Sequence, residues 1–254
     1  MKKWLHSQLF HPRPHFFLFS VLLVMLIVCV PRLHASVTGQ VDVASRYIWR
    51  GFDLNPYRKP VLQPSLDWEI GGTGLSVNFW GSVSFVSREL NEFDLTLTYS
   101  RDLTENLSVA AGFIHYAWYF TEGFRFKDDT THEVFVSLGL SDFFLEPALT
   151  LYYDFTNGDG LYAQLELGRT IPLAGDVTAG LDASLGYNGG QWLAEGVSPG
   201  FSDLNVGLTL SRSFGRFEVA ASVHYTWVLL DAVSLEDHVW FGISLAYNGK
   251  EGRE

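Results

Sequence analysis

Beyond Ser36 the chain has no cysteine; its one cysteine, Cys29, lies inside an N-terminal apolar run. An exported domain without disulfides has no covalent staples and must be held by a large core or by extensive sheet pairing. Basic residues are also scarce, 17 Lys+Arg against 28 Asp+Glu, for a net charge of −11. A chain this acidic lacks the basic footprint of a nucleic-acid binder, so no nucleic-acid partner is expected. Helical periodicity of useful length is missing after Val37. Phosphate loops, zinc-ligand spacings and EF-hand loops are absent as well, so no cofactor and no metal site are expected.

What is present begins with a leader. Lys2, Lys3 and Arg13 precede the apolar run Phe16 to Val30, which is followed by Pro31 and the small residues Ala35 and Ser36. That order is the one found in a secretory signal peptide. The run falls short of the roughly 20 residues a membrane-spanning helix needs. The expected organisation is a signal peptide over residues 1–35, cut after Ala35, and one domain over residues 36–254. Losing the leader makes the domain more acidic still, because the leader holds no carboxylate.

The rest of the chain has a period of two. Val41, Val43, Tyr47 and Trp49 alternate with Asp42, Arg46 and Arg50; Phe93, Leu95, Leu97 and Tyr99 alternate with Glu92, Asp94, Thr96 and Thr98. Leu161 to Leu167 and Leu204 to Leu210 repeat the pattern. Each run therefore has one apolar and one polar face. About twelve such segments follow one another, each close to the 9 to 11 residues a tilted strand needs to cross a bilayer. Tight turns near Gly71 to Gly74, Asp102 to Asn106, Ser141 to Phe144, Pro172 to Asp176 and Ser213 to Arg216 alternate with longer links, including Phe52 to Lys59, Phe120 to Asp129, Asn188 to Gly200 and Val228 to Glu236. The pattern predicts an all-β fold: a transmembrane antiparallel up-and-down β-barrel of about twelve strands, with short periplasmic turns and long outer loops. Aromatic pairs near segment ends (Tyr47/Trp49, Trp118/Tyr119, Tyr153/Phe155 and Tyr225/Trp227) fit interfacial girdles. A soluble sandwich would produce the same alternation with its faces reversed.

In a barrel the polar phase lines the interior. The pore-lining candidates are Arg46, Arg50, Asp67, Glu92, Asp94, Glu133, Asp154, Glu166, Asp182 and Asp203; Asp42, Glu69, Glu146 and Glu218 share their phase. Carboxylate rings favour cations. The first strand, expected to run through Arg50, supplies the only basic residues in that phase, and Arg46 is expected to pair with Asp67 across the hairpin. Trp80, Tyr116, Trp118, Tyr152, Tyr162 and Trp240 also fall in the polar phase, so large rings could close a barrel of this size.

The first third of this domain resembles the Gcw_chp family of Gram-negative envelope proteins, also described as TorF-type porins. The resemblance rests on Ser45, Tyr47, Arg50 and Gly51 in an S-x-Y-x-x-R-G pattern, then Pro60 and Gln63, then Trp80, Gly81 and Ser82, then Glu92, Asp94 and Tyr99. It implies an outer-membrane barrel with a channel role and no established substrate. The last strand, with Val239, Phe241, Ile243, Leu245 and Tyr247 on one face, is similar to the terminal strand read by the outer-membrane assembly machinery.

Enzyme signals are weak. Gly196-Val197-Ser198-Pro199-Gly200 matches G-x-S-x-G, but Pro199 removes the N–H the oxyanion hole needs, so the stretch reads as a surface loop. His224 and His238 fall on the interior phase, His115 and His132 on the lipid phase, and Asp128 to Glu133 reads as a solvated loop entering a strand. The expectation is a non-enzymatic outer-membrane channel for passive diffusion of small hydrophilic solutes, cation-preferring, in contact with outer-membrane lipids and the assembly machinery. A sealed barrel with a structural or partner-binding role is the alternative, and a membrane-lipid enzyme comes after it.

Overall fold

A computed structural model describes residues 36–55, 59–86, 88, 90–119 and 130–249; the expected leader and the Asp128/Asp129 stretch lie outside the described residues. The strands are β1 (Ser36–Ala44), β2 (Ile48–Trp49), β3 (Phe52–Asp53), β4 (Val61–Ile70), β5 (Leu75–Ser84), β6 (Leu90–Asp102), β7 (Leu107–Trp118), β8 (Thr130–Leu140), β9 (Ala148–Asp154), β10 (Gly160–Pro172), β11 (Val177–Asn188), β12 (Gly200–Phe214), β13 (Phe217–Val228) and β14 (His238–Asn248). All but β2 and β3 join one closed barrel, each pairing antiparallel with its chain neighbours, and β1 meets β14 with Thr38 opposite Asn248. Closure lets the backbone donors and acceptors of the wall pair with one another, which the hydrocarbon of a bilayer cannot supply.

The alternation sorts the wall as its chemistry requires. Val41, Leu97, Val136, Leu151, Leu181, Leu208 and Ile243 lie exposed on the outer face. Their ladder neighbours are outward too, as in Leu97 opposite Phe113 and Leu181 opposite Leu208. In water so much apolar surface would drive aggregation; against lipid tails it costs nothing. The protein is thus a transmembrane barrel of the outer-membrane type, and an outer membrane is where it resides.

The turn chemistry agrees with the pattern. Gly71, Gly72 and Gly74 take positive φ between β4 and β5, and Gly215 (φ 62°) opens the two-residue turn between Phe214 and Phe217. Glycine at the first central position matches the right-handed twist of a hairpin. Pro64 sits within β4, and the β4–β5 ladder skips Gln63 and Pro64 because proline has no N–H to donate. Glu146, expected inside, lies instead in the turn between β8 and β9, exposed and 3.5 Å from Arg169.

One expected element is different. The first strand stops at Ala44 and does not reach Arg50. The chain then leaves the wall and folds inward as the β2–β3 hairpin, with Trp49 opposite Phe52. Arg50 (φ 50°) and Gly51 (φ 82°) both take positive φ at its tip, as a type I′ turn demands. Tyr47 and Trp49 are therefore inside the barrel and form no lipid girdle. The hairpin leaves the wall because a continued strand would set these rings in lipid, far from the interior groups that satisfy Tyr47 and Arg50. The outer half of the interior holds a small apolar cluster of Tyr47, Phe52, Leu54, Tyr116, Trp118 and Val233, on which Trp49, Trp192 and Leu230 pack.

Candidate functional site

The site is built around the hairpin tip. The Arg50 guanidinium donates to both carboxylate oxygens of Glu133 on β8, at 2.6 and 3.0 Å, and to the Gln191 side-chain oxygen in the β11–β12 loop. Gln191 in turn donates to Glu133, as does the Tyr116 hydroxyl at 2.7 Å. The guanidinium also lies 4.5, 4.3 and 4.4 Å from the ring centroids of Trp49, Tyr152 and Tyr162. A planar, weakly hydrated cation suits this combination of fork and ring faces. Burial alone would pull the Arg50 pKa down; the facing Glu133 carboxylate overrides that and holds it above its ordinary value. The pair is a fixed ion pair between the hairpin tip and the barrel wall, with side-chain exposures of 6% and 0%.

Gly51 is required twice over at the tip. Its backbone has a sign of φ that side chains rarely adopt, and a Cβ there would meet Val233 Cγ1 at 3.0 Å and Asp203 Cβ at 3.2 Å. The other side of the hairpin is anchored by Tyr47, which donates to Glu92 at 2.8 Å. Burial, reinforced by the Glu92 and Asp94 charges, pushes the Tyr47 phenol well above its ordinary range, so it remains a donor. Arg46 lies 3.4 Å from Asp53 and 3.2 Å from His238 Nδ1. The expected Arg46–Asp67 pair does not form, because Arg46 follows the hairpin inward while Asp67 accepts from Asn78 on β5 at 2.9 Å.

Below the hairpin lies a cavity of about 390 Å³, lined by Trp49 and Arg50 from the hairpin and by Tyr116, Tyr152, Tyr162, Gln164, Asp182, Asp203, Asn205, His224 and Trp240 from the wall. His224 stacks on Trp240, centroids 3.9 Å apart, and Gly207 leaves space for the Asp182 and His224 side chains where a Cβ would collide with both. Gly186 makes similar room for the Tyr162 hydroxyl, which donates to Asp203 at 3.1 Å.

The Gcw_chp model, described as a bacterial protein of unknown function, matches residues 31–233. The chain belongs to that family. No curated protein matches it in sequence. Among solved structures it is similar to the NanC porin at TM-score 0.55 and 11% identity, over 82% of this chain and 98% of that one. The KdgM porin gives 0.54 and 11%, over 84% and 98%. An outer-membrane channel from Pseudomonas putida F1 gives 0.55 and 9%, over 87% and 97%. At these identities the likeness is one of fold. The Arg50-Gly51 pair that ends the motif linking the first third of the domain to the family is the hairpin tip.

The candidates read from the sequence divide by position. Arg50 and Glu133 are brought together, and Asp182 and Asp203 line the cavity below them. Glu92 and Asp94 face inward near the hairpin base, opposite Trp118 and Tyr116. Asp154 pairs in register with Glu133 but is buried, taking the Thr131 hydroxyl at 2.7 Å. Glu166 and Asp67 belong to the inward phase of β10 and β4, opposite Ser184 and Asn78. His115 and His132 meet on the outer face at 3.1 Å, as their phase implied. Gln191 was missed. It follows Gly189-Gly190, after the alternation of β11 has ended, so no phase marks it as inward.

Proposed function

We propose that the protein is a narrow, passive outer-membrane channel for small hydrophilic solutes, with a preference for cations and no catalytic chemistry of its own. The observation that carries this reading is a one-sided wall. Among the described residues, no lysine or arginine occupies an inward-facing position on any of the twelve barrel strands, whereas Asp42, Asp67, Glu69, Glu92, Asp94, Glu166, Asp182, Asp203 and Glu218 all do. The basic side chains described inside the barrel arrive on the hairpin segment, and each is matched there by a carboxylate, Arg46 by Asp53 and Arg50 by Glu133. The unmatched remainder makes the lumen potential negative and raises cation occupancy. KdgM is described in complex with oligogalacturonate, an acidic sugar chain; this wall offers such a polyanion no basic residue.

The test is a KCl gradient across a planar bilayer. The reversal potential is expected to report a cation preference that falls as salt is raised, because screening shortens the reach of fixed charges to about 10 Å at 0.1 M. The double variant Glu166→Gln, Asp182→Asn should move it toward the non-selective value. An unchanged preference in the double variant would remove the carboxylate lumen as its cause.

A second reading rests on the apolar cluster that packs the hairpin into the outer half of the lumen. If that packing seals the barrel, the protein serves as an envelope scaffold, and the bilayer experiment yields no current at all.

A further inference from the structure

The cavity beneath the hairpin has a chemistry of its own. Asp182 on β11 and Asp203 on β12 both face it. Asp203 is satisfied by neutral donors, the hydroxyls of Tyr162 and Ser202 and the amide of Asn205. The Asp182 side chain is 49% exposed, and the His224 ring, which is an ion partner only when protonated, lies 3.8 Å from it. The one guanidinium that borders the cavity, Arg50, is already neutralised by Glu133. Two carboxylates are thus left without a permanent fixed cation in a half-open cavity that is also lined by Trp49, Tyr116 and Trp240.

We infer that this cavity is a binding site for a small organic cation bearing an ammonium or guanidinium group, held by Asp182 and Asp203 against the indole and phenol rings. The chain contains its own precedent. Directly above, the same kinds of group, a carboxylate, a side-chain amide and three aromatic faces, enclose the Arg50 guanidinium. A bare divalent ion is a poorer fit, because the described residues contain no group of three or more His, Cys, Asp or Glu able to hold one. A neutral sugar could donate hydroxyl hydrogen bonds to the carboxylates but brings no positive charge, so its bonds to them are weaker than those of an ammonium or guanidinium. Gln164 and Ser184 supply hydrogen-bonding groups for the polar end of a bifunctional cation.

This inference rests on the cation-preferring reading of the lumen, so its test uses binding and requires no current. The barrel in detergent micelles is titrated with agmatine, which carries a guanidinium and an amine, while tryptophan fluorescence reports on Trp49 and Trp240 and calorimetry gives the affinity. Saturable binding is expected. Asp182→Asn should weaken it about tenfold or more, the loss that follows from removing one charge-assisted hydrogen bond. Glu105→Gln in the β6–β7 turn should leave it unchanged, and unheated SDS mobility checks that each variant is folded. Absence of saturable agmatine binding, wild-type affinity in Asp182→Asn, or equal binding of glucose or glutamate would each overturn the site. A barrel that binds agmatine and does not conduct keeps the site and loses the channel; one that conducts and does not bind loses the site alone.

Discussion

Arg50 and Glu133 are each costly inside the barrel and tolerable only together. Removing one partner of a buried pair strands the other charge at a cost of about 3–5 kcal/mol, whereas replacing both with apolar groups of similar shape costs far less. Glu133→Gln should therefore lower the temperature at which the SDS-resistant barrel unfolds, and Arg50→Met combined with Glu133→Gln should recover much of that loss. If the double variant is as unstable as the sum of the two single ones, the pair is not coupled. The sequence placed both side chains in the interior phase but could not join them. Arg50 and Glu133 are 83 residues apart, and only the inward fold of the hairpin brings them within 2.6 Å. The rings that complete the cage, Tyr152 and Tyr162, were legible as inward because they sit on regular strands.

At the scale of the element, the strands and the hairpin differ in how they are specified. A wall strand is set by period two, since a one-residue slip would turn its apolar set into the lumen, and so the positions of β4 to β14 follow from alternation alone. The segment after Ala44 keeps the alternation of Arg46, Tyr47 and Trp49 and still leaves the wall. The decisive feature is the Arg50-Gly51 turn, a local cue that alternation cannot register. Gly51→Val tests this element directly. The added side chain meets Val233 and Asp203 and cannot easily take the φ of 82°, so the hairpin should be displaced from the lumen. Single-channel conductance should rise while the barrel stays SDS-resistant. A fall in conductance, or no change, would show that the hairpin does not limit passage.

As a whole molecule the barrel has no free strand edge, so unheated protein should run at a different SDS mobility from boiled protein. Sequencing of the protein isolated from the outer membrane should begin near Ser36; retention of Met1 would refute the proposed leader. Strand number, phase and the distribution of short and long connections were all readable, because a closed barrel is a repeated local rule. How far the loops fill the interior was not, because that depends on long-range packing of Phe52, Leu54, Trp192 and Val233, which no local period encodes.

The pairing of β1 with β14 has a consequence for the order of events during folding. The root of the hairpin is tied to the last strand: the Ser45 amide donates to the Phe241 carbonyl at 2.8 Å, the Phe241 amide donates to Ser45 Oγ at 2.8 Å, and Arg46 reaches His238. Residues near the start of the domain thus wait for partners almost 200 positions downstream, which is a slow, non-local step. Until the C-terminal strand docks, the nascent sheet carries two bare edges and the hairpin root is held from one side only, by the pairing of β1 with β4. Closing the ring therefore also fixes the second side of the hairpin root, and a barrel stalled before its final strand would be open-edged with the Ser45 and Arg46 contacts unmade.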